Sequence, residues 1–218
     1  FGDHADVMAC RQTGFAMLCS NTVQEAQDMA VISHIATLKS RVPFLHFFDG
    51  FRTSHEIQKI EDISYDDLRK ILPQKEIDSF KLSALSSVSP HQQGTAQNPD
   101  IYFQNREACE IFYRQTPRAV ASAMKDLESI TGRHYSLFEY FGDKNATDVV
   151  VLMGSGVETA KETQKFLAKN GRTGLGVLCV RLYRPFVSEK FIEALPKTTK
   201  RIAVLDRTKE NGSDGEPL

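Results

Sequence analysis

An α/β fold made of two partial domains with mainly parallel sheets is predicted by three features of this sequence. Residues 12–48 read as strand, helix, strand, and residues 148–205 repeat that alternation over a longer stretch. The apolar runs in both are short, as in Val149-Val150-Val151-Leu152-Met153. Runs of this size suit strands of a covered sheet, and strands separated by helices suit parallel pairing through right-handed crossovers.

The elements follow in order. Residues 1–11 form a polar loop running into a short helix, and residues 12–20 a strand ending at a turn. Asn21 serves as N-cap with Gln24 three residues on, and apolar side chains recur at Val23, Ala26, Ala30, Ile32, Ala36 and Leu38, which predicts a helix over 22–40. The continuous apolar run over 44–48, closed by Asp49-Gly50, predicts a strand buried on both faces. Two amphipathic helices follow to about Ala84, one opened by Ser64 with Asp67, the other with Pro73 in its first turn. Residues 86–100 have no apolar period and read as a loop. A helix over 106–130 is expected to bend or break before Pro117 and to end at Thr131-Gly132.

The second unit begins near Tyr135, with strands over 148–153, 175–182 and 201–205 and helices over 157–169 and 189–195. Asn170-Gly171 stops the first of these helices. Three strands leave poorly covered edges, so a further βα unit downstream is expected, and Phe1 in place of Met suggests a beginning cut short.

Composition narrows the function. With 218 residues, 41% of them apolar, the chain can bury a core. A net charge of -1 without long blocks of one sign gives no reason to expect nucleic acid or an anionic membrane as partner. No apolar run approaches the roughly 20 residues of a membrane span. Cys10, Cys19, Cys109 and Cys179 are scattered without a C-x-x-C pair, so no metal is expected here, and reduced thiols fit a cytosolic protein.

Four clusters could carry chemistry. Asp3, His4, Asp6, Arg11 and Gln12 crowd polar groups before a strand, and Asp49, Arg52, Ser54, His55 and Glu56 crowd them after one. A hydrolase triad of Ser54, His55 and Asp49 lacks the G-x-S-x-G elbow. Gly154-Ser155-Gly156 with Thr159 resembles the start of a dinucleotide fingerprint, but lacks the acidic residue after the next strand, so a tight turn for close packing is the default. The segment from Asp206 to Glu210 reads as a solvated turn, with an interface latch as the alternative.

Read as strings, FGDHADVMACRQTGFAMLCSNTVQEAQDMA, VPFLHFFDGFRTSHEIQKIE, GTAQNPDIYFQNREA, RLYRPF, ALPKT and KRIAVLDRTKE resemble the pyruvate:ferredoxin (flavodoxin) oxidoreductase family in order and spacing, across essentially the whole chain. The related pyruvate:NADP oxidoreductases share this core, and the choice between them stays open. The resemblance implies oxidative decarboxylation of pyruvate with CoA to acetyl-CoA and carbon dioxide on thiamine diphosphate with magnesium. Electrons would then pass through 4Fe-4S clusters to ferredoxin or flavodoxin.

It also implies that residues 1–134 are the C-terminal part of a pyrimidine-binding domain, with an extended loop and a long helix. Residues 135–218 would be the N-terminal part of a domain like the C-terminal domain of transketolase. The family's activating glutamate and its pyruvate-holding threonine and arginine lie upstream of Phe1; its cluster cysteines and diphosphate-binding domain lie downstream. The chain alone is therefore expected to be an inactive fragment that binds no cofactor, and no catalytic residue is assigned. Asp3, His4, Arg11 and Gln12 are the first choice for proximity to the active-site cleft, with Asp49, Arg52 and His55 second. A homodimer in the cytoplasm is expected, with a hydrogenosome-like organelle as the alternative. The competing reading is a non-catalytic interaction domain on the same scaffold.

Overall fold

The computed structural model of this chain describes residues 2–92 and 96–218; Phe1 and the centre of the loop expected over 86–100 lie outside the described residues. A short helix α1 (Ala5–Ala9) leads into strand β1 (Ala16–Cys19), every residue of which is buried. Helix α2 (Val23–Ser40) starts one residue later than Asn21 would place it. Thr22 is the cap, its hydroxyl accepting from the Glu25 amide at 3.1 Å. Glu25 reaches back one residue beyond the cap and accepts from the Asn21 amide at 2.9 Å, so Glu25 rather than Gln24 answers the cap.

Strand β2 (Phe44–Phe47) pairs in parallel with β1, completing the expected crossover. It is an edge strand, however, and only Phe47 within it is buried, so burial on both faces is not what the apolar run meant. Helices α3 (Tyr65–Ile71) and α4 (Gln74–Leu82) follow, capped by Ser64 and headed by Pro73. The long helix divides earlier than expected, into α5 (Pro99–Ala108) and α6 (Glu110–Thr131), with the junction at Cys109 and Pro117 inside α6. Gly132, in the left-handed region at φ 72°, ends α6. Thr116, Ala119, Val120, Ala123, Met124 and Leu127 form its buried stripe at helical spacing, and α6 packs on α2.

The remainder contains β3 (Phe138–Gly142), β4 (Asp148–Leu152), α7 (Gly156–Lys169), β5 (Leu175–Val180), β6 (Leu182–Arg184), α8 (Ser188–Ala194) and β7 (Arg201–Leu205). Strands β5, β4 and β7 run parallel, as expected, while β3 adds an unexpected antiparallel edge beside β5. The apolar run over 175–182 is not one strand. At Arg181 the chain leaves the four-stranded sheet β3-β5-β4-β7, and β6 then pairs antiparallel with β1 in the three-stranded sheet β2-β1-β6.

This sheet switch makes a single core. Met17 and Leu18 from one sheet and Val149, Val151, Leu178 and Val180 from the other belong to one buried apolar cluster. Arg181, 2% exposed, sits at the seam. It holds Glu25 through two guanidinium nitrogens at 2.8 and 3.3 Å, donates to Glu139, and lies 5.1 Å from the Tyr135 ring centre. Nearby, Asp28 is fully buried and receives a fork from Arg133 at 2.7 and 2.9 Å and the Tyr135 hydroxyl at 2.6 Å. Burial and the Asp28 carboxylate raise the Tyr135 phenol pKa, so Tyr135 stays a neutral donor.

Candidate functional site

Open parallel sheets gather their functional loops at the carboxyl ends of the strands. Here the ends of β2, β4 and β7 meet the opening segment around one buried carboxylate, Asp49. Asp49 Oδ1 is 2.6 Å from His4 Nε2. Its Oδ2 accepts from the Ser155 amide at 2.9 Å, the Ser155 hydroxyl at 2.6 Å and Arg207 Nη1 at 2.6 Å.

Arg207 also donates to the Gly2 carbonyl and to Ser155 Oγ, and its own carbonyl accepts from the His4 amide at 3.0 Å. His4 is buried with its ring edge-on to Phe47 at 5.5 Å. Burial opposes ionisation of Asp49, but the hydrogen bonds from His4 and Ser155 outweigh it and hold the carboxyl below its ordinary range.

The turn after β4 makes this approach possible. Gly154 has φ 76°, and a Cβ there would stand 2.4 Å from Asp49 Oδ1. The amide that opens α7 therefore points at a carboxylate of the same chain, the position in which a dinucleotide turn receives a phosphate. The turn is a packing device, in line with its default reading. The segment after β7 departs from its default: Arg207 joins the Asp49 cluster and Glu210 pairs with Arg11 at 2.8 Å, so it is a latch.

The structure brings His4 and Asp49 together and sets the other predicted residues around them. Arg11 lies against Glu210 and donates to the Met8 carbonyl at 2.8 Å. Asp3, Gln12, Arg52 and His55 are exposed. His55 Nδ1 is 2.7 Å from Ser54 Oγ, while Asp49 is bound to His4, so Ser54, His55 and Asp49 do not form a triad. Phe51, at φ 58°, stacks on the His55 ring at 5.0 Å, placing a strained exposed aromatic at the rim.

Ser155 and Arg207 were within reach of sequence reading only as parts of a turn and a charge cluster. Nothing in the spacing of 106 and 158 residues to Asp49 announces their contact.

The hydrogen-bonding positions around Asp49 are taken by protein donors, and among the described residues no three His, Cys, Asp or Glu side chains converge to hold a metal ion. With its carboxylate oxygens taken by His4, Ser155 and Arg207, Asp49 does not fit magnesium or an iron-sulfur cluster. The arrangement instead fixes three strand ends and the opening loop into one wall.

Two family models match this chain: pyruvate flavodoxin/ferredoxin oxidoreductase, thiamine diphosphate-binding, over residues 1–125, and pyruvate:ferredoxin oxidoreductase core domain II, over residues 146–218. Over the whole chain it is 57% identical to a pyruvate:ferredoxin oxidoreductase of Moorella thermoacetica and 55% identical to a pyruvate-flavodoxin oxidoreductase of Trichormus variabilis. It spans 18% of the length of each.

Among solved structures, a 2-oxoglutarate:ferredoxin oxidoreductase from Magnetococcus marinus, with 2-oxoglutarate, coenzyme A and succinyl-CoA bound, aligns with TM-score 0.55 and 14% identity. It covers 93% of this chain and 37% of its own, a likeness of fold. With its α/β architecture and two family models covering most of its length, the chain belongs to the pyruvate flavodoxin/ferredoxin oxidoreductase family.

Proposed function

We propose that this chain is a scaffold portion of an enzyme that oxidatively decarboxylates pyruvate with CoA to acetyl-CoA and carbon dioxide, passing electrons to ferredoxin or flavodoxin. The observation that carries this reading is identity above half over every residue of the chain to enzymes named for that reaction. In the full-length enzyme, bound thiamine diphosphate with magnesium would supply an electron sink for decarboxylation, and 4Fe-4S clusters would supply the path onward. The residues of this chain bind and position. The Asp49 cluster holds the ends of β2, β4 and β7 in register, so that Asp3, Arg11, Gln12, Arg52 and His55 line one side of the active-site cleft.

The division at residues 134 and 135 is part of the same proposal. Gly132 closes α6, and the two family models fall on either side. We further assign a homodimer located in the cytoplasm. Four unpaired thiols suit a reducing compartment.

The test is pyruvate-, CoA- and thiamine diphosphate-dependent reduction of a viologen dye under anaerobiosis. A polypeptide of the relatives' length containing this chain is compared with the chain alone. Activity in the long form only is the expected result. A long form that folds, carries its cofactors and still fails to turn over pyruvate contradicts the proposal and favours a non-catalytic scaffold.

A further inference from the structure

A concavity of about 330 Å³ lies between the loop before β1, the start of α6 and the segment after β6. Arg11, Phe15, Glu110, Tyr113, Arg184 and Phe186 contribute to its wall. Arg184 differs from the other arginines gathered at the two clusters described above. Its Nε is buried and has no hydrogen-bond partner, and its guanidinium makes no ion pair with a carboxylate among the described residues. Its guanidinium carbon lies 5.0 Å from the centre of the Tyr183 ring.

An arginine donor left dry and unpaired is costly, because the guanidinium loses hydration without gaining an acceptor. The other charges of the wall are already committed. Arg11 pairs with Glu210 at 2.8 Å, and Glu110 leans toward Arg114 at 3.8 Å. The cavity thus presents aromatic walls and one arginine, Arg184, that no carboxylate of the described residues answers and whose Nε lacks an acceptor. Its volume is at the small end of the range of small-molecule sites.

We propose that this cavity binds a small molecule bearing a carboxylate or phosphate, with Arg184 as the anchor and Phe15 and Phe186 against the body of the ligand. The guanidinium fork matches two oxygens of either group. None of the side chains that bind Asp49 lines this cavity, and the proposal does not depend on pyruvate chemistry.

Calorimetric titration of the full 218-residue chain with benzoate and, separately, with inorganic phosphate tests this. Saturable binding of at least one is expected, weakened at least about tenfold in both Arg184→Met and Arg184→Lys, because lysine keeps the charge and loses the fork. Binding of benzoate alone identifies a carboxylate site, and binding of phosphate alone a phosphate site. Should Arg184→Met fail to fold, Arg184→Lys decides. Absence of saturable binding to either anion, or undiminished binding by a folded Arg184→Lys chain, overturns the proposal.

Discussion

Around β1 and β5 this chain buries its charges in pairs, whereas between residues 57 and 112 it leaves large aromatic and aliphatic side chains such as Ile57, Tyr65, Leu82 and Phe103 in water. In the first region Glu25, Asp28, Asp49 and Arg181 are all buried, and every one of them is answered by an opposite charge. In the second, α3, α4 and α5 bury no residue, and Phe103 is 70% exposed. The excursion touches the body through Ile63 and Ile71, which pack partly buried against the core, and through polar contacts such as Glu61 N to Gln24 Oε1 at 2.7 Å and Arg41 Nη2 to Ser79 Oγ at 2.8 Å. The body is specified by long-range pairing and the excursion by local caps, so they should answer differently to mutation.

The largest effect is expected at Arg181. Replacing it with Met strands Glu25 in the interior and should cost about 3–5 kcal/mol in chemical denaturation, with Glu25→Leu added to Arg181→Met recovering part of the loss. A loss below about 1 kcal/mol, as for exposed pairs, would remove the seam from the account.

Asp49→Asn comes next, at about 2–4 kcal/mol, since it weakens contacts to His4, Ser155 and Arg207 together. Its pH signature has a definite sign. The Asp49 pKa is depressed on folding, so its contribution is complete above the ordinary value of 3.8 and fades as pH falls through the folded value. The native chain should therefore lose stability on acidification below about pH 4 more steeply than Asp49→Asn. Parallel profiles would contradict the assignment.

The smallest effect belongs to the excursion. Phe103→Ser should change the thermal midpoint little, within about 0.5 kcal/mol, because nothing described covers that ring.

Much of this fold is legible in sequence, and the failures share a cause. Helix α2, strand β1 and the parallel β4, β5 and β7 follow from local periodicity and caps, which neighbouring residues set. The Pro117 break failed because α6 buries a long stripe against α2, and that packing outweighs the loss of one helical hydrogen bond. The reading of 175–182 as one strand failed because nothing local marks Arg181 as a break until Glu25, 156 residues away, is known to face it. At the site, His4 and Asp49 stood out as ionisable residues flanking strands. Ser155 and Arg207 did not, since their role depends on three strand ends meeting.

Native-state hydrogen exchange, read segment by segment, tests the central claim that buried charge pairs join the two sheets into one unit while the excursion stands apart. The account predicts that amides of β1 and β5 share one opening free energy, lowered together by Asp49→Asn, while α3 to α5 exchange earlier and are untouched by that change. Separate opening energies for the two sheets, or an Asp49→Asn effect confined to one of them, would contradict it.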